Sequence, residues 1–117
     1  MLENVRPYSD HTDTLSVRFD GEGFLVNPAE WSVALANQLA RDAGIDPLTE
    51  THWQVIRYLR GYYERMGFIP SARRMCRYLG MAKFEIKTLF GSCLKVWRIS
   101  GLPNPGAEAI AHISQNQ

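Results

Sequence analysis

The sequence predicts a mainly α-helical domain with a small N-terminal β-hairpin and an irregular C-terminal arm. Three observations lead to this fold class. Apolar residues recur at helical spacing through most of residues 28–90, between recognisable helix start and stop residues. Residues 15–19 alternate between apolar and polar, as half-buried strands do. Residues 101–106 contain two glycines and two prolines, a density that excludes helix and central strand.

The hairpin is predicted from residues 15–26. Leu15, Val17 and Phe19 alternate with polar residues, and the DGEG sequence of residues 20–23 supplies a turn. Residues 24–26, Phe-Leu-Val, then form the return strand. An isolated hairpin is marginally stable, so we expect it to pack on the helices. Residues 1–13 are polar and aperiodic, and are interpreted as a loose lead-in.

A first helix is predicted to begin at Pro28. Asn27 can act as its cap, proline is favourable at the first helical position, and Glu30 suits a capping box. Gly44 ends the helix. Its expected apolar stripe consists of Trp31, Ala34, Leu35, Leu39 and Ala43.

A longer helix follows, with Thr49 as its cap. Gly67 ends it, and Pro70 prevents continuation. We expect its apolar residues to face the core, since aromatic stripes at helical spacing usually pack. The residues at this spacing are Trp53, Ile56, Leu59 or Arg60, Tyr63 and Met66.

Two short helices are predicted next, and they resemble a helix-turn-helix. Ser71 can cap the first, and Gly80 separates it from the second. A plain helical corner is the favoured interpretation, because any two amphipathic helices joined at a glycine resemble this motif and the second helix begins without obvious Asn, Gln or Arg base readers. The expected apolar residues are Met75, Cys76, Leu79, Phe84, Ile86, Leu89 and Phe90. The candidate phosphate contacts are Arg73, Arg74, Arg77, Lys83 and Lys87.

The composition is that of one ordinary globular domain. The chain has 117 residues, of which 45% are hydrophobic and 21% charged. No apolar run approaches the roughly 18 residues of a membrane span, and no secretory signal is visible, so we expect a cytoplasmic protein. Residues 1–56 carry three arginines against nine acids, whereas residues 57–98 carry ten lysines or arginines against two acids. This asymmetry suggests an anionic partner for the second half, an internal match, or simply solvated helix faces.

The cysteines and histidines predict no metal site and no cofactor. Two cysteines and three scattered histidines lack the spacing of zinc ligands. Cys76 lies on an apolar helix face and is interpreted as a buried structural thiol. Cys93 follows a Gly-Ser pair and has Lys95 and Arg98 nearby, so it is a candidate reactive thiol. A half-buried small residue in a turn is the alternative. No catalytic triad or carboxylate pair is evident, so the sequence does not indicate an enzyme.

Several motifs occur in an order that is typical of one family. The chain contains FDGEGFLVNPAEW, then GIDPLTETHWQVIRYLRGYYERMGFIPSAR, then LF…RISGLPNP. Over about residues 17–106 it resembles the DsrC/TusE family, which includes the gamma subunit of dissimilatory sulfite reductase and the sulfur-relay protein of tRNA thiolation. The resemblance implies a helical domain at residues 14–96 and a mobile arm at residues 97–117.

The resemblance also implies what such an arm does. In the family a cysteine close to the chain end is loaded as a persulfide or joined as a trisulfide, and a second arm cysteine helps release the product. The arm reaches into the active site of a partner enzyme. The arm motif itself is present here as Gly101, Leu102, Pro103 and Pro105.

This chain departs from the family pattern at both arm cysteines. The inner position, four residues before Gly101, is Trp97, and the terminal position, three residues after Pro105, is Glu108. Neither side chain can replace a thiolate. The sequence therefore predicts a partner-binding or regulatory paralogue rather than a sulfur carrier. Its expected partners are sulfite-reductase-like or sulfurtransferase proteins, or a true carrier of the family. The alternatives are sulfur transfer through Cys93 and DNA binding through residues 71–90.

Overall fold

The computed structural model describes residues 17–115, and the side chains of residues 17–111. The mainly α-helical prediction is confirmed. The described part of the chain contains six α-helices, and α5 lies at their centre, in contact with α1, α2, α4 and α6. The helices are α1 (Val33–Asp42), α2 (Glu50–Met66), α3 (Ala72–Leu79), α4 (Lys83–Phe90), α5 (Cys93–Ile99) and α6 (Ala107–Gln115).

The predicted hairpin is present as a turn with one antiparallel bridge. Phe19 pairs with Leu25, and this is the extent of β-structure within residues 17–115. The Asp20 carboxylate closes the turn by accepting hydrogen bonds from the backbone N–H groups of Glu22 and Phe24, both at 2.9 Å. Phe24 and Leu25 are buried against the helices, as an isolated hairpin requires. Leu15, the first predicted strand residue, lies outside the described residues.

The first helix begins later than predicted. Asn27 does accept a hydrogen bond from Ala29, but it caps only one 3-10 turn, Pro28–Glu30. Trp31 is then extended, and α1 starts at Val33 with the Ser32 hydroxyl as its cap. The start residues were recognised correctly, but a distant contact of Trp31, described below, interrupts the helix after one turn.

Helix α2 follows its predicted bounds. The Thr49 hydroxyl caps it, and His52 completes a capping box by accepting from the Thr49 backbone N–H at 3.0 Å. Gly67 ends it in the left-handed conformation. Ile56 and Leu59 are buried, while Trp53 and Tyr63 are partly buried and Met66 is exposed.

Helices α3 and α4 also lie where the sequence places them. Ser71 caps α3, and Gly80 ends it with a positive φ of 67°. Ile86 and Phe90 of α4 are buried, but the expected packing of Phe84 is wrong, since its side chain is 61% exposed. Phe84 lies two positions before Ile86, which at 3.6 residues per turn places it on the opposite face of α4 from Ile86 and Phe90.

The C-terminal segment is more regular than the sequence suggested. Trp97 lies inside α5 and not in an irregular arm. Helix α6 begins at Ala107, so the irregular stretch is confined to residues 102–106. The glycines and prolines interrupt helical structure only where they stand, and α6 begins directly after Gly106.

Candidate functional site

Trp97, at the position that the resemblance aligns with the inner arm cysteine, is part of the core. Its side chain is 2% exposed. Its indole Nε1 donates a hydrogen bond of 2.8 Å to the carbonyl of Pro103. Its ring also meets Tyr63 edge to face, with centroids 6.1 Å apart. These contacts join α5 to the arm motif that follows it.

Gly101 of the arm motif lies directly against Trp31. Its φ is +71°, which disfavours any residue with a Cβ. A Cβ at this position would overlap Cδ1 of Trp31 and come within 2.8 Å of the Trp31 Cβ. The Trp31 indole donates to the carbonyl of Ile99 at 3.0 Å. This contact holds Trp31 out of a helix and explains why the predicted first helix stops after one turn.

Arg60 ties the same segment to α2. Its Nη1 donates to the Ser100 carbonyl at 2.7 Å and its Nη2 to the Pro28 carbonyl at 3.3 Å. Its guanidinium lies 4.2 Å from the centre of the Trp31 ring. Burial lowers the pKa of Arg60 and Glu64 opposes this shift, but an arginine stays charged in either case. Arg60 is therefore a partly buried cation held by backbone carbonyls and an aromatic face.

Asn104 connects the arm motif to the N-terminal turn. Its side-chain nitrogen donates to Asp20 Oδ2 at 3.0 Å and to Glu22 Oε1 at 2.8 Å. The pKa of Asp20 is held below its usual range, first by the hydrogen bond from the Phe24 backbone. Arg98 adds a hydrogen bond of 3.1 Å to the Glu22 carbonyl. The motif GLPNP is thus attached at both ends.

Glu108, at the position aligned with the terminal cysteine, lies in the first turn of α6 and is exposed. An acidic residue there is favourable for the helix dipole. On the same helix Ala109 and Ile110 are partly buried against the body of the protein. The two aligned positions therefore differ in exposure: Trp97 is buried in α5, and Glu108 lies on the surface of α6.

Cys93 is the first residue of α5 and lines an apolar cavity of about 220 Å³. Met75, Trp97 and Ala109 line the same cavity, so α6 helps to cover it. Burial raises the pKa of the Cys93 thiol, and Cys76 adds to this, while Lys83 and Lys87 oppose it. The sequence suggested that Lys95 and Arg98 would favour the thiolate. The structure gives the opposite direction, because the sulfur is half-buried in apolar surroundings.

Cys76 is less buried than the sequence indicated. It is partly exposed and lines a cleft with Arg73, Met81 and Lys83. Burial raises the pKa of its thiol, with Lys83 lowering it. Both cysteines are free thiols. Burial therefore disfavours the thiolate form of both cysteines, and neither surrounding activates the sulfur as a nucleophile in this conformation.

The five candidate phosphate contacts lie on α3 and α4. Four of them are exposed and Lys87 is partly buried. Lys83 and Lys87 also act on the Cys93 thiol, so α4 brings its basic side chains towards the cysteine cavity. Residues 17–115 contain no group of His, Cys, Asp or Glu that could hold a metal ion, and no helix there is long and apolar enough to cross a membrane.

Sequence reasoning missed Arg60 and the role of Trp31. Both were placed on helix faces by periodicity, but their partners are backbone carbonyls about 32 to 68 positions away. The arm motif lies near the Ile99 and Ser100 carbonyls, and the Asn27-Pro28 helix start contains the third partner. The hint available in the sequence was an arginine next to Leu59 on an otherwise apolar stripe.

Comparison with known proteins agrees with the motifs. The family profile described as "DsrC like protein" matches residues 11–107. A protein named sulfurtransferase TusE from Yersinia pseudotuberculosis is 36% identical over 95 residues, covering 74% of this chain and 87% of that protein.

Two solved structures share the fold. The oxidized gamma subunit of the dissimilatory sulfite reductase (DsrC) from Archaeoglobus fulgidus superposes with a TM-score of 0.71 and 34% identity, covering 78% of this chain and 90% of that chain. A structure described as dissimilatory sulfite reductase I (DsrI) superposes with a TM-score of 0.73 and 29% identity, covering 78% and 89%. The family profile, the sequence relatives and the shared fold lead to one conclusion: this chain belongs to the DsrC-like protein family.

Proposed function

We propose that this chain is a partner-binding or regulatory member of the DsrC-like family that does not carry sulfur on its C-terminal arm. The observation that carries the proposal is the state of the two aligned arm positions. Trp97 is buried and donates a hydrogen bond to the Pro103 carbonyl. Glu108 has a carboxyl side chain and lies on the surface of α6. A carboxylate accepts hydrogen bonds but forms no persulfide.

The remaining thiols support the same proposal. Carrying sulfur requires a thiolate that can attack a sulfur donor and then be reached by an acceptor. The pKa values of Cys93 and Cys76 are both raised by burial, and Cys93 lies in a cavity partly covered by α6. Both properties oppose transfer chemistry in the conformation described.

The partners that we propose follow from the relatives' names. One relative is a subunit of dissimilatory sulfite reductase and another is a sulfurtransferase. We propose that this chain binds a protein of one of these two kinds, or a cysteine-bearing member of its own family, in the cytoplasm. Binding without transfer makes it a competitor or regulator of the true carrier.

The test is sulfur uptake measured by intact mass after incubation with a persulfide donor. We expect no stable mass gain for the native chain. A Glu108→Cys variant is the matched positive control, because it places an exposed thiol at the aligned terminal position without touching the core. Stable uptake at Cys93 in the native chain, abolished by Cys93→Ser and followed by transfer to an acceptor, would show that the proposal is wrong.

The second candidate function is sulfur transfer through Cys93. It is favoured by the cavity beside the thiol, which has room for a small apolar group. The mass measurement above decides between the two.

A third candidate is duplex DNA binding through α3 and α4, favoured by the exposed arginines of α3. Binding of this kind weakens steeply with salt. A gel-shift titration at low salt tests it, and the absence of a shift at tens of micromolar protein removes it.

A further inference from the structure

Another cleft lies between α2 and α3, and it shares no lining residue with the Cys93 cavity or with the Cys76 cleft. Its volume is about 440 Å³, and none of its lining residues is acidic. Tyrosine and arginine side chains dominate the lining. The cleft is lined by Gln54, Arg57, Tyr58, Gly61, Arg65 and Tyr78, among others.

Two tyrosines that line this cleft belong to a row of aromatic rings that continues beyond it. Tyr58 and Tyr78 stack with centroids 4.7 Å apart and planes 24° from parallel. Tyr62 continues the row 5.9 Å from Tyr58, and Phe68 follows 5.8 Å from Tyr62. Tyr78 at one end is 74% exposed, and Phe68 at the other is 53% exposed. The row therefore begins and ends on the surface, with its end rings held in place by their neighbours.

Arginines surround the stacked pair. Arg57 and Arg65 line the cleft, and Arg65 and Arg74 both act electrostatically on the Tyr58 hydroxyl, whose pKa burial raises. Arg57 also forms an ion pair with Glu50 at 2.6 Å, but both side chains are exposed. An exposed pair of this kind is weak and can exchange one partner for another anion.

Gly61 also lines the cleft. It lies in the interior of α2, where glycine is among the poorest helix formers. An added Cβ would come within 3.3 Å of the Arg65 Nη1 atom, so the guanidinium end of Arg65 lies over this glycine. The lack of a side chain at Gly61 therefore lets the Arg65 cation lie close to the α2 backbone in the cleft.

We infer that this cleft binds single-stranded nucleic acid, with an unpaired base stacked on the exposed face of Tyr78 and backbone phosphates held by Arg57 and Arg65. Aromatic stacking platforms lined by cations are the usual means of binding unpaired strands. A duplex hides its base faces, so it cannot use Tyr78 in this way. The site is separate from the α4 lysines of the helix-turn-helix hypothesis and does not depend on the proposed regulatory role.

The test is fluorescence anisotropy with a labelled single-stranded homopolymer of about 12 nucleotides. We expect Tyr78→Ala to weaken binding at least about fivefold. We expect Arg65→Gln to reduce the slope of log K against log salt by about 0.7. Phe84→Ala is the matched control, since Phe84 is an exposed aromatic residue on α4, outside this cleft, and it should leave binding unchanged. Urea unfolding confirms that each variant is folded, which we expect because all three side chains are exposed.

Three outcomes would overturn the inference. The first is no single-strand binding at low salt. The second is binding that Tyr78→Ala leaves intact and that polyglutamate displaces at equal charge, which indicates a plain cationic surface suited to an acidic peptide. The third is equal affinity for a duplex of the same length with a loss in Phe84→Ala, which indicates that α4 makes the contact.

Discussion

Residues 97–105 and helix α6 follow one another in the chain but differ in how they are attached. Residues 97–105 contact the N-terminal turn, Trp31 and Arg60 through hydrogen bonds, and several of their side chains are buried. Helix α6 rests on α5 through Ala109 and Ile110, and its other described side chains are exposed.

The resemblance implied that the Gly-Leu-Pro motif and the residues after it form one mobile arm. The structure separates the motif from the segment that follows it. The motif Gly-Leu-Pro is part of the folded body, since Leu102 is buried and Gly101 fits against Trp31. We expect the segment that can detach at low cost to begin only after Pro105, because the described side chains of residues 106–111 make fewer interactions with the body. Any movement of the C-terminus in this protein is therefore expected from α6 onward.

The largest expected effect is at Gly101. Gly101→Ala places a Cβ inside the Trp31 ring and strains a left-handed φ, so we expect the free energy of unfolding to fall by roughly 3–5 kcal/mol. Chemical unfolding measures this loss. Gly106→Ala is the matched control, because Gly106 also has a positive φ but no atom lies within 4 Å of its added Cβ. It should lose only about 1 kcal/mol. Equal losses in the two variants would mean that Trp31 does not fix the motif.

The next effect is at Arg60. Arg60→Ala leaves the Ser100 carbonyl without its side-chain donor and removes the contact with Trp31, while the Pro28 carbonyl keeps the Trp31 backbone N–H as a donor. We expect a loss of roughly 2–3 kcal/mol, the cost of one unsatisfied buried carbonyl that faced a charge. Arg57→Ala, on the exposed side of the same helix, should change stability by less than about 0.5 kcal/mol. A similar small value for Arg60→Ala would contradict its role as an anchor.

Local signals in the sequence predicted the helix ends well, and long-range contacts explain the failures. Thr49, Ser71 and Gly67 act within one helical turn, so their roles can be read from neighbouring residues. Asn27 was also recognised as a cap, but the length of its helix depends on Trp31 reaching Ile99. No pattern of adjacent residues contains that information.

The sequence identified the family motif, but it did not predict the environment of the candidate site. The order of motifs identified the family, and the alignment of Trp97 and Glu108 with the arm cysteines, which rests on the spacing around Gly101, stays a prediction. The burial of Trp97 depends on Pro103 and Tyr63 closing over it. The charges near Cys93 come from Lys83 and Lys87 of another helix rather than from Lys95 and Arg98. Proximity in sequence was a poor guide to which cations face the thiol.

A smaller effect of opposite sign is expected at Ser100. Its side chain is fully buried, and its hydroxyl has no hydrogen-bond partner among the described residues. Ser100→Ala removes this unsatisfied group while keeping the backbone carbonyl that Arg60 binds, so we expect stability to rise by about 1 kcal/mol. Thermal and urea unfolding together measure the change. A loss instead would show that the hydroxyl has a partner in solution.

An effect on stability as small as that at Ser100 is expected from removing α6, and it tests whether α6 is weakly attached. Among the described side chains of α6, a chain ending at Gly106 loses the partial burial of Ala109 and Ile110, so the free energy of unfolding should change by about 1 kcal/mol. The Cys93 thiol should respond more clearly. Burial raises its pKa, since an apolar cavity disfavours the thiolate, and Ala109 of α6 lines that cavity. Removing α6 admits water, lowers the pKa of the Cys93 thiol towards its usual range, and shifts the pH midpoint of Cys93 alkylation downward.

Peptide mapping after iodoacetamide treatment at a series of pH values measures this shift. Cys76 is the internal control, because it lines a different cleft. An unchanged Cys93 profile, or an equal shift at both cysteines, would show that α6 does not cover the thiol.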